Sequence, residues 1–209
     1  MKAGLCLAAL FISTAAFAQS SSPGPYIVDV RGAMSGAPGG ASFYPPVTAD
    51  VLAPQRAFGF VAGAHVYPFH LGVARIGLGA DLMRARGTAS SIGNVGAAMS
   101  VMTLAPQLSF NFGTHDGWSY LSGGYGMAQT LARVDVPATT TTSTTTPPVT
   151  VTTPASTSSR ERRSPAINIG GGARWFLREH VAVGFDVRFH RMTNPSKQIV
   201  GLSVGISLR

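Results

Sequence analysis

The sequence predicts an all-β fold in which eight antiparallel strands form an up-and-down barrel. Three observations lead to this prediction. Apolar and polar side chains alternate in eight segments, short and long connections alternate between them, and only 11% of the residues are charged. Such alternation sends successive side chains to opposite faces of a sheet. The predicted strands span 26–34, 57–67, 73–84, 97–112, 118–134, 166–177, 181–191 and 198–208.

The clearest alternation lies in segment 181–190. One face is continuously apolar and contains Val181, Val183, Phe185, Val187 and Phe189. The other face carries an acid, a base and an imidazole, in Asp186, Arg188 and His190. In a soluble barrel the apolar face fills the interior, whereas in a transmembrane barrel it contacts lipid and the charges line the lumen. The phase is weakest in 118–134, where aromatic residues lie on both faces and a bulge is an alternative.

The first 18 residues predict a cleaved signal peptide. Lys2 supplies a positive start, a short apolar run follows, and Ala16-Phe17-Ala18 fits a cleavage site after Ala18. The run is too short for a spanning helix. Residues 19–209 then form a single exported domain, and since the only cysteine is Cys6, this domain cannot be stabilised by disulfides.

The connections predict which end of each strand faces outward. Segments 68–72, 113–117 and 178–180 are short, whereas 35–56, 85–96, 135–165 and 192–197 are longer. Outer-membrane barrels have short periplasmic turns and longer extracellular loops. An aromatic girdle is expected near the inner strand ends, and it comprises Tyr26, Tyr67, Phe69, Phe110, Phe112, Trp118, Tyr120, Trp175 and Phe176.

Charged residues on the inward parity predict an ion-pair network in the lumen. Its members are Asp29, Arg31, His65, Arg75, Asp81, Arg174, Asp186, Arg188 and His190. Counting from the turns places Arg174 diagonal to Asp186, and His65 opposite Arg75. The network is either a structural plug, because eight strands enclose a space that side chains just fill, or a path for protons or ions.

The segments Asn168–Arg188 and Gly201–Leu208 resemble the closing hairpin and last strand of small outer-membrane β-barrel proteins of the opacity-protein and outer-membrane protein A type. The resemblance implies an eight-stranded barrel in the outer membrane of a Gram-negative-type cell. It also implies insertion by the barrel assembly machinery.

Two outer features could carry a surface function. The Thr- and Pro-rich stretch 135–165 predicts a disordered extracellular loop, either a plain mobile loop or a glycosylated or adhesive element. Arginines at the outer strand ends predict a rim that contacts lipopolysaccharide phosphates, the alternative being solvated charges. Besides Arg56, this rim contains Arg84, Arg86, Arg133, Arg160, Arg162, Arg163 and Arg191.

The predicted function is therefore that of an integral outer-membrane barrel with a plugged polar lumen and a structural or surface-interaction role. A narrow channel for ions or small solutes and a secreted ligand-carrying barrel are the alternatives. A lipid A deacylase-like enzyme is disfavoured, because His190 and Thr193 are three residues apart and so lie on opposite faces of a strand. We expect no catalytic site, cofactor or metal, and a monomer. The net charge of +8 does not indicate nucleic-acid binding in an exported all-β chain. An extracellular ligand could bind through the loops.

Overall fold

The computed structural model describes residues 24–40, 42–46, 51–91, 95–114, 116–144 and 148–209. The predicted signal peptide, residues 1–18, lies outside the described residues. The strands are β1 (Tyr26–Gly36), β2 (Arg56–Leu71), β3 (Ala74–Ser90), β4 (Gly96–Thr114), β5 (Gly117–Val136), β6 (Thr139–Thr142), β7 (Thr150–Thr153), β8 (Ser156–Arg178), β9 (Val181–Thr193) and β10 (Ser196–Leu208). No helix in the described ranges is long and apolar enough to cross a membrane.

Eight strands close into an antiparallel barrel in the order β1-β10-β9-β8-β5-β4-β3-β2, with β2 paired back to β1. The remaining strands, β6 and β7, form a separate hairpin between β5 and β8. Closure leaves the barrel without a free edge along the ring. The predicted fold class is therefore confirmed.

Apolar side chains cover the outside of the barrel. In β10 the outward residues Val200, Leu202, Val204, Ile206 and Leu208 are about half exposed, while the intervening Ser203 and Ser207 are buried. The other barrel strands show the same alternation, and large exposed apolar surfaces in a closed barrel require lipid rather than water around them. This arrangement is the reverse of the one that a secreted ligand-carrying barrel needs.

Several strands extend beyond their predicted outer ends. β3 continues to Ser90, and β5 and β8 remain paired up to Val136 and Ser156. Segment 135–165, predicted to be a disordered loop, thus contains paired strands and the Thr-rich hairpin β6–β7. The difference has a physical cause. Apolar alternation reports contact with lipid, whereas backbone pairing continues above the membrane, where both faces of the strands are polar.

The register between β2 and β3 differs from the prediction. His65 lies opposite Gly79, and it is His70 that lies opposite Arg75. Two features account for the shift. The strand continues through Pro68 by way of an irregularity between Val66 and Phe69, where proline cannot donate a ladder hydrogen bond. The chain then reverses at Gly72, whose φ of 58° suits glycine.

The other counted register is confirmed. Arg174 lies opposite Gly184, and Gly172 lies opposite Asp186. In β5 the alternation of inward and outward side chains is unbroken from Trp118 to Val134, and the strand has no bulge there. Trp118 and Tyr120 point inward, whereas Tyr125 points outward.

Disulfide trapping tests the β2–β3 register. In the double variant Val66→Cys/Leu78→Cys the two residues are direct partners, so oxidation should form an intramolecular disulfide, since paired Cα atoms lie about 5 Å apart. The control Val66→Cys/Ala74→Cys joins the positions that the sequence-based register would pair, and it should remain reduced. The reverse result, measured by mass spectrometry after alkylation, would contradict this register.

Candidate functional site

The inner end of the lumen is filled by aromatic side chains. Ile27, Tyr67, Trp118 and Tyr120 are buried together, with Phe176 packed against them. Trp118 lies edge-on to Tyr67, with ring centroids 6.0 Å apart, and 5.0 Å from Phe176. Only part of the predicted girdle faces outward, because Tyr67, Trp118 and Tyr120 share the inward parity. Tyr26, Phe69, Phe110 and Trp175 are exposed on the outer surface.

Above this aromatic layer lies a cluster of buried ion pairs. Arg174 binds Asp29 through two hydrogen bonds of 3.0 and 2.6 Å. Arg188 binds Asp186 in the same two-pronged way, at 3.1 and 3.0 Å. Paired bonds between a guanidinium and a carboxylate are the geometry in which a buried charge is best compensated. Arg174 therefore pairs with Asp29 on β1, three positions away around the ring, and not with its predicted neighbour Asp186.

Further contacts within the cluster cross the whole lumen. Arg188 on β9 lies 3.4 Å from the Asp81 carboxylate on β3, and these strands are four positions apart in either direction around the ring. Arg31 on β1 donates to the Tyr120 hydroxyl on β5, also four positions away, at 3.1 Å. These contacts span the lumen from one side of the closed barrel to the other.

The charges of this cluster balance. We define the central cluster as Asp29, Arg31, Asp81, Arg174, Asp186 and Arg188, all of which are buried. Arg31 also approaches Asp81 and Asp186, at 3.7 and 3.6 Å. Three cations thus face three anions, and the cluster is neutral without any bound ion. Neutral, mutually hydrogen-bonded charges are the form in which ionised groups tolerate removal from water.

Uncharged polar residues complete the cluster. The sequence pattern assigned Tyr120 to the aromatic girdle and did not single out Gln107 or Asn168. Tyr120 accepts from Arg31 and donates to Asp186 at 2.9 Å. Arg188 also donates to Gln107 and Asn168, each at 2.8 Å. The parity of these residues would have identified them, because each lies on the inward face of its strand. Glycines provide the space, since a Cβ on Gly63 would collide with Asp81.

The remaining predicted lumen residues have different positions. His65 is buried beside Asp81, with its Nε2 atom 3.9 Å from a carboxylate oxygen. His190 is buried but belongs to no ion pair in the described part of the chain. Arg75 lies outside the network, which corrects the prediction. Its Nε donates to Nε2 of His70 at 2.7 Å, near the inner turn, because of the register difference described above.

Apolar side chains pack together in the outer half of the lumen. Met83, Met99, Val101, Val134 and Met192 are buried there. Phe43 and Tyr44, from the β1–β2 connection, are buried with them. Arg160 of β8 donates to the Tyr44 carbonyl oxygen at 3.1 Å and so ties this connection to the wall. The sequence signal was the loss of alternation in 97–104, where both faces are largely apolar.

One cavity inside the barrel is small. A cavity of about 20 Å³ lies between the central cluster and the apolar layer, and Asp81, His190 and Ser203 contribute to its wall. A single water molecule needs about 10–15 Å³, so a larger solute does not fit. Within the described residues no group of three or more His, Cys, Asp or Glu side chains could hold a metal ion.

Two of the predicted rim arginines form ion pairs with acids on their own strands. Nε of Arg133 lies 2.9 Å from Oδ1 of Asp135, and Nε of Arg163 lies 3.2 Å from Oε1 of Glu161. Hydrogen bonds from Thr157 and Arg133 hold the pKa of the Asp135 carboxyl below its usual range. This part of the rim is therefore neutralised within the protein.

The other rim residues differ in direction. Arg160 and Arg162 lie on the inward parity of β8 and are partly buried. Arg84, Arg86 and Arg191 point outward and are exposed. Across the residues that the structure describes, no hydrogen bond or ion pair involves these three side chains. They are the predicted rim arginines that are available to an external anion.

His190 and Thr193 do not form a catalytic pair in this structure. The His190 ring is buried in the lumen. The Thr193 side chain is exposed and donates to the carbonyl oxygen of Pro165 at 3.2 Å. The two groups lie on opposite faces of β9, as their spacing predicts.

Replacement of Arg188 tests the central cluster. The variant Arg188→Met should lower the free energy of unfolding by about 3–5 kcal/mol, because Asp81 and Asp186 lose a buried cation. Urea titration of the folded protein in detergent, followed by heat-modifiable gel mobility, measures this loss. The matched control Arg84→Met removes an exposed, unpaired guanidinium and should change stability by less than about 0.5 kcal/mol. Equal stability of the two variants would refute the structural importance of the cluster.

Comparisons with known proteins agree with this architecture. The Outer membrane protein beta-barrel domain model matches residues 4–207. The structure is similar to Ail, the attachment invasion locus protein of Yersinia pestis, with TM-score 0.54 and 9% identity over 90% of this chain and 99% of Ail. It is also similar to the outer membrane protein OprG from Pseudomonas aeruginosa, with TM-score 0.52 and 10% identity over 92% and 98% of the two chains.

A comparison with curated protein sequences gives no match. At these identities the similarity to Ail and OprG concerns the fold. The family model, by contrast, spans nearly the whole chain, and it agrees with the outward apolar surface and the ring of eight strands. The chain belongs to the outer membrane protein beta-barrel domain family and is an outer-membrane protein.

Proposed function

We propose that this protein is a non-conducting barrel that acts at the outer surface of the outer membrane. The observation that carries the proposal is the pair of contacts across the full lumen, from Arg188 to Asp81 and from Arg31 to Tyr120. The aromatic layer below and the apolar layer above reinforce this plug. With the lumen filled, binding depends on the rim and on the extracellular segments.

The unpaired arginines support a lipopolysaccharide-contacting role for the rim. Arg84 and Arg86 are exposed on the lipid-facing side of β3 toward its outer end. Lipopolysaccharide phosphates at this level provide the anions that guanidinium groups bind most effectively. Monomeric insertion by the barrel assembly machinery completes the proposal, because the ring of strands closes within one chain.

The segments beyond the membrane support binding of an extracellular ligand. β5 and β8 stay paired up to Val136 and Ser156, and the β6–β7 hairpin follows with exposed threonines. Ail of Yersinia pestis has been solved in complex with the heparin analogue sucrose octasulfate, in a structure with TM-score 0.52 to this one. The exposed threonine hydroxyls of the hairpin offer hydrogen bonds to a polar partner at the cell surface.

Planar-bilayer recording tests the plugged lumen. The purified barrel should show no steady ion conductance, because the central cluster occludes it. The double variant Arg188→Gly/Tyr120→Gly removes one partner from each crossing contact, and it should raise conductance if it folds to the same heat-modifiable form. Arg84→Gly, on the outer surface, is the control and should stay closed. Steady conductance of the unmodified protein that changes in Asp186→Ala would instead support the channel alternative.

Lipid analysis tests the rim. Arg84→Ala/Arg86→Ala should reduce co-purifying lipopolysaccharide by about twofold or more, because charge-assisted phosphate contacts are lost. Arg133→Ala is the matched control. It also removes an exposed outer arginine, but one already paired with Asp135, and it should retain the normal amount. Equal lipopolysaccharide content in all three proteins, measured by mass spectrometry after gentle extraction, would contradict the rim proposal.

A further inference from the structure

The outward apolar surface has a notch where β1 lacks a side chain. Gly32 faces lipid between Val204 of β10 and Phe60 of β2, its direct partners. The notch is a shallow, open depression that Met34 and Leu202 border among others. A Cβ on Gly32 would meet no atom closer than the Val204 carbonyl oxygen, at 3.8 Å. Barrel packing therefore does not require this glycine, and the notch is open to the membrane.

The notch lies toward the outer side of the membrane. Met34 comes two residues before the end of β1, and Phe58, on the same wall, comes two residues after the start of β2. Both of these strand ends belong to the extracellular side of the barrel. The hydrocarbon next to the notch therefore belongs to the outer leaflet.

A pair of unpartnered cations stands beside the notch. Arg84 lies directly opposite Phe60, and Arg86 lies opposite Phe58. Since neighbouring strands are about 4.8 Å apart, the Arg84 Cα lies about 10 Å from that of Gly32. The acids of β1, β2, β3, β4 and β10 are Asp29 and Asp81, and both are buried in the lumen. The outward faces of these five strands therefore carry no acid.

We propose that this notch and arginine pair form one binding site for the lipid A part of lipopolysaccharide. One acyl chain fills the notch at Gly32, and a phosphate of the same molecule binds Arg84 and Arg86. The proposal rests on the proposed rim function and extends it from a diffuse contact to a defined site. Phosphate alone would engage only the arginines, whereas the notch favours a ligand whose phosphate lies next to its acyl chains.

The decisive experiment compares two probes on the full-length folded protein. Intact lipid A offers both phosphate and chains, and its fully deacylated phosphorylated disaccharide offers phosphate alone. Gly32→Phe fills the notch and should weaken binding of lipid A about fivefold, because close van der Waals packing is the main gain available between apolar groups within a membrane. It should leave binding of the deacylated disaccharide unchanged. Binding is measured by native mass spectrometry from detergent.

A matched control separates the notch from a general surface effect. Ala80 is exposed on the outward face of β3 and lies opposite Ala64. Ala80→Phe adds the same side chain away from Gly32 and should alter binding of neither probe. Gly32→Leu provides a smaller filling group for use if Gly32→Phe does not reach the heat-modifiable folded form, and the same selective loss is expected.

The outcomes distinguish this site from the rim proposal. Arg84→Ala/Arg86→Ala could weaken binding of both probes while filling the notch weakens binding of neither. In that case the acyl chain does not bind at Gly32, and the proposal of a basic rim stands. If neither change weakens binding, both proposals fall. Filling the notch could instead convert a dimer into a monomer and leave lipid A binding unchanged. The notch would then be a contact between two copies of the chain, and the proposed binding of an acyl chain there would be wrong.

Discussion

Closure of eight strands into one ring is the constraint on which the rest of the structure depends. A ring of this size leaves an interior that side chains just fill, so every inward charge must find its partner inside. The central cluster meets this requirement by joining opposite walls, as Arg188 does with Asp81. Glycines such as Gly63 make room for these side chains by leaving the facing positions empty. The inward charges, the glycines that face them and the ion pairs across the lumen therefore depend on one another.

Different kinds of side chain fill the lumen at different levels along the barrel. At the inner end Tyr67 and Trp118 fill space with rings. In the middle, charges neutralise one another, and toward the outside Met99 and Val101 form an apolar layer that Phe43 helps to close. Each level of the lumen is thus filled by a different kind of side chain.

The sequence predicted the ring of strands well because lipid contact imposes a strict period of two. It predicted the inward charges for the same reason, and all of them except Arg75 lie in the lumen. Their partners depend on contacts across the ring, however, and counting from turns gives only adjacent strands. Arg174 was therefore assigned to the wrong acid. The Pro68 irregularity shifted the β2–β3 register in a way that no periodic pattern reports. Beyond the membrane the period itself disappears, so the extent of β8 was underestimated.

The exposed arginines near the outer end of the barrel differ between its two sides in whether an acid neutralises them. On β5 and β8 the exposed arginines Arg133 and Arg163 are neutralised by neighbouring acids. On β3 the exposed Arg84 and Arg86 have no such acid among the residues that the structure describes. Arg84 nevertheless lies level with Arg163, because direct strand partners connect the two through Met102 and Gln129. Position along the strand therefore does not explain the difference, but the surrounding charge does. Phosphates of an anionic leaflet would therefore be attracted more strongly to the β3 side of the barrel than to the β5–β8 side.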